Sequence, residues 1–204
     1  MRSTHTPPAR ARRRARAVVL LAALIATIAT VLVVTQGGDA PGPAARPQGA
    51  PLSTFGASDG YIDSGRPLSP FDDESPALAG LDPALREAMQ AAASDALADG
   101  FDFVVTSGWR SAPYQQALFD EAVADYGSID EARRHVATAD ASAHVTGNAV
   151  DIGFTDANSW LSQHGADYGL CQTFANEMWH YELATTPGGE CPPQLPDASY
   201  AAGW

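Results

Sequence analysis

Residues 17–35, AVVLLAALIATIATVLVVT, restrict the fold of this 204-residue chain more than any other stretch. They carry no charge, and three threonines are their only polar side chains. A helix of that length, rising 1.5 Å per residue, comes close to the roughly 30 Å of a bilayer's hydrocarbon layer. Residues 1–16 place six arginines and no acid before it, which predicts a cytoplasmic N-terminus and export of the chain beyond the span. Two readings stand: a transmembrane signal anchor, or a signal peptide removed near Gly38 and Ala40. The run is longer than the roughly 7–15 apolar residues of a signal peptide, which favours the anchor. No Cys follows the span closely, which argues against a lipoprotein anchor. The protein is therefore expected at the cell membrane, single-pass with an extracellular domain, or secreted to the cell wall. Residues 36–54 are rich in Gly, Pro and Ala and read as a flexible linker. The fold must be built from 55–204, a length that suits one compact core.

Charge narrows the partners. All 24 acids lie from Asp39 onward, where only six of the 12 basic residues remain, and the chain has no lysine. Nucleic-acid binding needs clustered cations, so a nucleic-acid partner is excluded. The acidity reads as a solubility feature rather than a docking surface.

The local signals mix helices with short strands. Residues 54–80 read as irregular chain. Asp82 and Pro83 open a helix over 83–98 whose apolar face is Leu85, Met89, Ala92, Ala96 and Leu97, with Gly100 to end it. FDFVVT at 101–106 reads as a strand, 112–125 as a helix, and Ser128 with Glu131 as a capping box opening a short helix through His135. Strands are expected over 148–154 and 178–183, with a helix over 157–164. Without regular βαβ alternation this is an α+β domain, an antiparallel sheet with surrounding helices.

Two stretches can carry chemistry. In Ser142-Ala143-His144-Val145-Thr146-Gly147-Asn148-Ala149-Val150-Asp151, a turn at Gly147 would let His144 and Asp151 converge. Imidazole and carboxylate are both good Zn²⁺ ligands. In Glu177-Met178-Trp179-His180, a straight strand would put Glu177 and His180 on opposite faces, so the chain must bend for both to face one ion. Three protein ligands with an open fourth position make a catalytic zinc site, and the spare Glu is the base a zinc hydrolase needs.

The order of these motifs resembles the VanY-type D-alanyl-D-alanine carboxypeptidases and the related dipeptidases and L,D-carboxypeptidases. The resemblance includes Ser107-Gly108-Trp109-Arg110-Ser111 and Tyr114-Gln115-Gln116-Ala117-Leu118-Phe119, and spans about 101–183. It implies the D,D-peptidase (Hedgehog-like) fold, with zinc held by His144, Asp151 and His180. It implies Glu177 as catalytic base and Arg110 facing the substrate carbonyl and developing oxyanion. Ser142 and Gln115 match positions that contact the terminal D-Ala, and Trp179 would form pocket wall. The substrate implied is a peptidoglycan stem peptide, and a monomer is expected. Met178 stands where Pro is frequent, Asp151 to Glu177 is short, and the segment carrying Cys191 has no counterpart.

Other residues have plainer readings. His135 lies beside Arg133 and Arg134 on an expected solvated helix face, and His164 near a helix end. Trp109 and Trp160 read as packing. Cys171 and Cys191, outside the cytoplasm, form a disulfide more often than two free thiols; the loop would stabilise by ~3 kcal/mol on the chain-entropy model. The rivals to D,D-carboxypeptidase activity are an L,D-carboxypeptidase or endopeptidase of the same chemistry, and a non-catalytic zinc-binding wall module.

Overall fold

The computed structural model describes residues 50–203. The basic segment, the apolar run and linker residues 36–49 lie outside the described residues. The end of the expected linker is folded. Leu52–Thr54 forms a 3-10 turn, and Phe55 packs on Tyr114 with ring centroids 5.3 Å apart.

Four strands form one antiparallel sheet: β1 (Val104–Ser107), β2 (Ala149–Gly153), β3 (Leu170–Gln172) and β4 (His180–Leu183), in the order β1-β2-β4-β3. The helices are α1 (Pro76–Ala79), α2 (Pro83–Ala98), α3 (Ala112–Tyr126), α4 (Ile129–Ala132) and α5 (Thr155–His164). The α+β expectation holds. Among the described residues, no helix is long and apolar enough to cross a membrane.

Alternation along the strands sorts the sheet into two faces. Val150, Ile152 and Tyr181 join Val105 in the core, where α2 packs through Leu85, Met89, Ala92, Ala93 and Ala96. Each of the two large α2 side chains is essentially unexposed, which stabilises by about 2–3 kcal/mol relative to leaving it in water. Asp151 and His180 point to the other face from directly paired positions of β2 and β4. The pattern that drives the core therefore also aims the polar residues away from it.

Several boundaries differ from the sequence expectations. Leu97 sits at the edge of the α2 stripe and is 60% exposed. β1 begins at Val104 rather than 101, because Phe101 N–H still bonds to Ala96 O at 2.8 Å and closes the helix. α4 ends at Ala132, short of His135, and turns carry the chain onward. α5 starts at Thr155, two residues early. β3 was not expected at all; with three residues its pattern is too short to read. Helix α1 lies inside the stretch read as irregular.

Cys171 and Cys191 are bonded, with Cα atoms 5.7 Å apart. Trp160 is a packing residue as expected, edge-on to Phe103 and donating to Asp99 Oδ2 at 2.9 Å.

Candidate metal centre and catalytic cleft

The turn expected at Gly147 exists. Gly147 has φ 77°, and a Cβ there would meet Gly80 O at 2.3 Å, so no other residue fits without strain. Bonds from Val145 N–H to Ser142 O and from Asn148 N–H to Ala143 O fold 142–148 into a compact bend. It hands His144 to the sheet's polar face just before β2 begins. The chain also bends before β4. His180 N–H bonds to Glu177 O at 3.2 Å, which brings Glu177 to the same side as His180.

These two bends gather four of the expected residues. His144, Asp151 and His180 each offer a ligand atom, and these atoms all lie within 4.8 Å of one another. His144 Nε2 is 3.3 Å and His180 Nδ1 3.2 Å from Asp151 Oδ1. Glu177 Oε2 lies 3.9 Å from His180 Nδ1. All three members of the triad are buried.

The opposite ring nitrogens show that both imidazoles are held from behind. His144 Nδ1 donates to Gly108 O at 2.8 Å, which fixes the proton there and leaves Nε2 free. Gly108 is required for this approach, because a Cβ on it would meet Ala77 O at 2.3 Å. His180 Nε2 lies 2.9 Å from Glu182 Oε1, leaving Nδ1 toward the centre. Outer partners of this kind orient metal-binding histidines and raise their basicity. This donor set fits zinc: two nitrogens and one carboxylate oxygen on one side, open to a cleft on the other. Glu182 was missed in the sequence. Its signal was the i, i+2 spacing from His180 on one strand face.

Arg110 braces the carboxylate. Its guanidinium donates to Asp151 Oδ2 at 3.1 Å, Ser107 Oγ at 2.7 Å and Gln115 Oε1 at 2.9 Å. Gln115 in turn donates to Ala137 O at 2.8 Å. The resemblance implied that Arg110 and Gln115 face substrate; in the structure they form a chain of bonds that joins Asp151 to Ala137. Ser142 and Trp179 line the cleft with them. Ser142 is buried, while Trp179 stands at the rim and is 43% exposed.

The electrostatics divide the two histidines. Burial, then Arg110, lowers the His144 pKa and keeps that ring neutral. Burial also disfavours a charged His180, but bonds to Asp151 and Glu182 prevail and push it up to about 9. Burial alone would raise Asp151; His144 and His180 beside it overcome this and hold it well below the usual carboxylate range. Glu177 is pushed up to about 7, chiefly by burial. Its Oε1 is buried without a hydrogen-bond partner, an arrangement costly for a structural carboxylate and found where one is kept for chemistry.

The cleft above these groups has a volume of about 450 Å³, within the range of small-molecule sites. His135 corrects an expectation. It is solvent-exposed as expected, but lies beyond the end of α4 rather than on the helix, stacked on Tyr126 with centroids 4.2 Å apart and lining the cleft. His164 stays outside, against Trp160.

A family model described as VanY, D-alanyl-D-alanine carboxypeptidase, matches residues 79–186. The chain is similar to a D-alanyl-D-alanine carboxypeptidase of Enterococcus faecalis (strain ATCC 700802 / V583), 32% identical over 111 residues. That alignment covers 42% of this chain and 41% of the relative, so the chain spans about two fifths of the relative's length. Among solved structures it is similar to VanYB in complex with D-alanine-D-alanine, at 28% identity and a TM-score of 0.48, covering 50% of this chain and 70% of that one. It is also similar to a variant of the vancomycin resistance D,D-pentapeptidase VanY from a VanB-type cassette in complex with Zn(II). There the identity is 22% and the TM-score 0.49, covering 72% of this chain and 92% of that one.

Proposed function

The chain belongs to the VanY D-alanyl-D-alanine carboxypeptidase family, and on that premise we propose that it removes the terminal D-Ala of peptidoglycan stem peptides by zinc-assisted hydrolysis. The observation that carries this reading is the buried His144, Asp151 and His180 cluster with the partnerless Glu177 oxygen beside it. His144 Nε2, His180 Nδ1 and Asp151 Oδ1 would hold the ion. Zinc bound there supplies Lewis acidity, polarising the scissile carbonyl and acidifying a water.

The protein's own groups do the rest. Glu177 accepts a proton from the attacking water and delivers it to the leaving amine as the C–N bond breaks, giving a new carboxylate and free D-Ala. Its raised pKa of about 7 in the metal-free site suits both directions of transfer; a nearby dication would draw it back toward the carboxylate that starts the cycle. Arg110 fixes Asp151 and leaves guanidinium N–H groups beside the reacting carbonyl, where negative charge develops. Glu177 also weighs against a non-catalytic zinc module, because binding alone needs no base. The N-terminal arginines and apolar run would place the domain outside the cytoplasm, near its substrate.

The test incubates zinc-loaded full-length protein with muramyl pentapeptide and tetrapeptide, with and without chelator, and reads products by mass. Loss of one D-Ala from pentapeptide only, abolished by chelator, is the expected result. Cleavage of tetrapeptide alone would replace the reading with L,D-carboxypeptidase activity, and no cleavage of either would overturn it.

A further inference from the structure

Residues 187–201 lie outside the matched family segment, yet they return to the cleft. The strap is tied to the rest of the domain at three successive points. The Cys171–Cys191 bond fixes its start. Leu195 then pairs with the chain before Glu177: its N–H bonds to Thr173 O at 2.9 Å, and its carbonyl accepts from Ala175 N–H at 2.8 Å. Asp197 accepts from Arg134 Nε at 3.2 Å, just beyond α4. The same Asp197 caps the next 3-10 turn, through Ser199 N–H at 3.0 Å. That turn sets Ala198 and Ala201 into the wall of the catalytic cleft.

The strap's neighbours in the cleft follow from these ties: Phe174 is bridged to Leu195, and Arg134, which holds Asp197, stands two residues before Val136. Val136 and Phe174 line the cleft together with the two alanines and His135, so the strap side carries an apolar lining. Phe174 also packs on His180, with ring centroids 5.1 Å apart. Glu177, which in the proposed function protonates the leaving amine, follows the 173–175 segment that Leu195 pairs with, so the leaving residue lies on the strap's side of the cleft, a point that rests on the proposed function.

We propose that the 187–201 strap is a specificity-determining wall, whose Ala198 and Ala201 close the leaving-residue end of the cleft around a methyl-sized side chain. Alanine at both positions leaves space for a D-Ala methyl. A branched side chain on the leaving residue would meet the strap backbone, which its three anchors prevent from retreating. The strap's alanines act on the fit of the leaving residue; the charge of Asp197 also helps to raise the Glu177 pKa, the smallest of its causes, an effect common to both peptides that cancels in a ratio between them.

Two substitutions in zinc-loaded full-length protein test this. Ala201→Leu narrows the end, and Asp197→Ala releases the turn that carries it. Steady-state kinetics use two peptides identical except for a terminal D-Ala or D-Leu, with folding checked by circular dichroism. For Ala201→Leu, kcat/KM on the D-Ala peptide should fall at least tenfold, mainly through KM, with kcat within about threefold. For Asp197→Ala, the D-Leu to D-Ala ratio of kcat/KM should rise at least tenfold. Should Ala201→Leu misfold, the Asp197→Ala ratio decides alone. A parent enzyme that cleaves D-Ala while the folded variants keep both values within twofold overturns the strap assignment and leaves the function standing. A parent that cleaves neither peptide overturns the function, and the assignment with it.

Discussion

Replacing Arg110 with methionine should destabilise the metal-free protein more than any other single change near the cleft. The guanidinium bridges three acceptors, at 2.7, 2.9 and 3.1 Å. Its ion pair with Asp151 is largely shielded, with side chains 16% and 10% exposed. Breaking a buried pair from one side typically costs about 3–5 kcal/mol, because the remaining charge loses its partner. Here His180 still faces Asp151 at 3.2 Å, so the lower end, about 3 kcal/mol, is expected. For a domain of this size that corresponds to a fall of roughly 6–12 °C in melting temperature. Lysine at the position keeps the charge but cannot span three acceptors, and should cost about half as much. Bound zinc would compensate Asp151 directly, so the penalty of Arg110→Met should shrink by half or more on metal loading. The assay is urea and thermal unfolding of parent and variants, metal-free and zinc-loaded. An Arg110→Met variant within about 1 kcal/mol of the parent without metal would refute the brace, since a buried pair cannot be lost that cheaply.

Glu177→Gln should lower kcat by about 10²–10⁴-fold, the usual worth of a general base, while zinc affinity measured by chelator competition stays within about threefold; a variant that retains turnover removes Glu177 from the mechanism. Zinc uptake should release a proton, because His180, pushed up to about 9, carries one in the metal-free site at neutral pH. Below that pKa the apparent affinity should fall about tenfold for each unit of acidification, and equal affinities at pH 6.5 and 7.5 would contradict the assignment of His180. Replacing Cys171 and Cys191 together by serine should cost ~3 kcal/mol for the separation of 20 residues, read by urea unfolding; a loss below about 1 kcal/mol would mean that the strap is held by its other anchors.

What could be read from the sequence depended on how local the cause was. The α2 boundaries followed from Asp82 accepting from Ala84 N–H and Leu85 N–H, and from Pro83 behind it. His144 and Asp151 were visible because Gly147 stands between them, and a glycine at positive φ is a local necessity. The bend that brings Glu177 beside His180 was demanded by their spacing of three, which no straight strand can satisfy. Other features depend on partners far away in the chain. Arg110 was read as facing substrate, but its anchoring to Asp151 depends on residues 41 apart. β3 has three residues and gains its identity only from β4. His135 lines the cleft because α4 stops at Ala132, three residues earlier than its capping box suggested. The strap was illegible for the same reason: its Gly- and Pro-rich chain carries no period, and contacts with Thr173 and Arg134 place it.

Titrating metal-free protein with zinc while following D-Ala release from pentapeptide tests the central claim most directly. The account predicts that activity rises linearly and saturates at one zinc per chain, and that a His180→Ala variant does not respond below a large excess of metal. Full activity in protein shown to be free of metal, or unchanged zinc dependence in the His180→Ala variant, would contradict it.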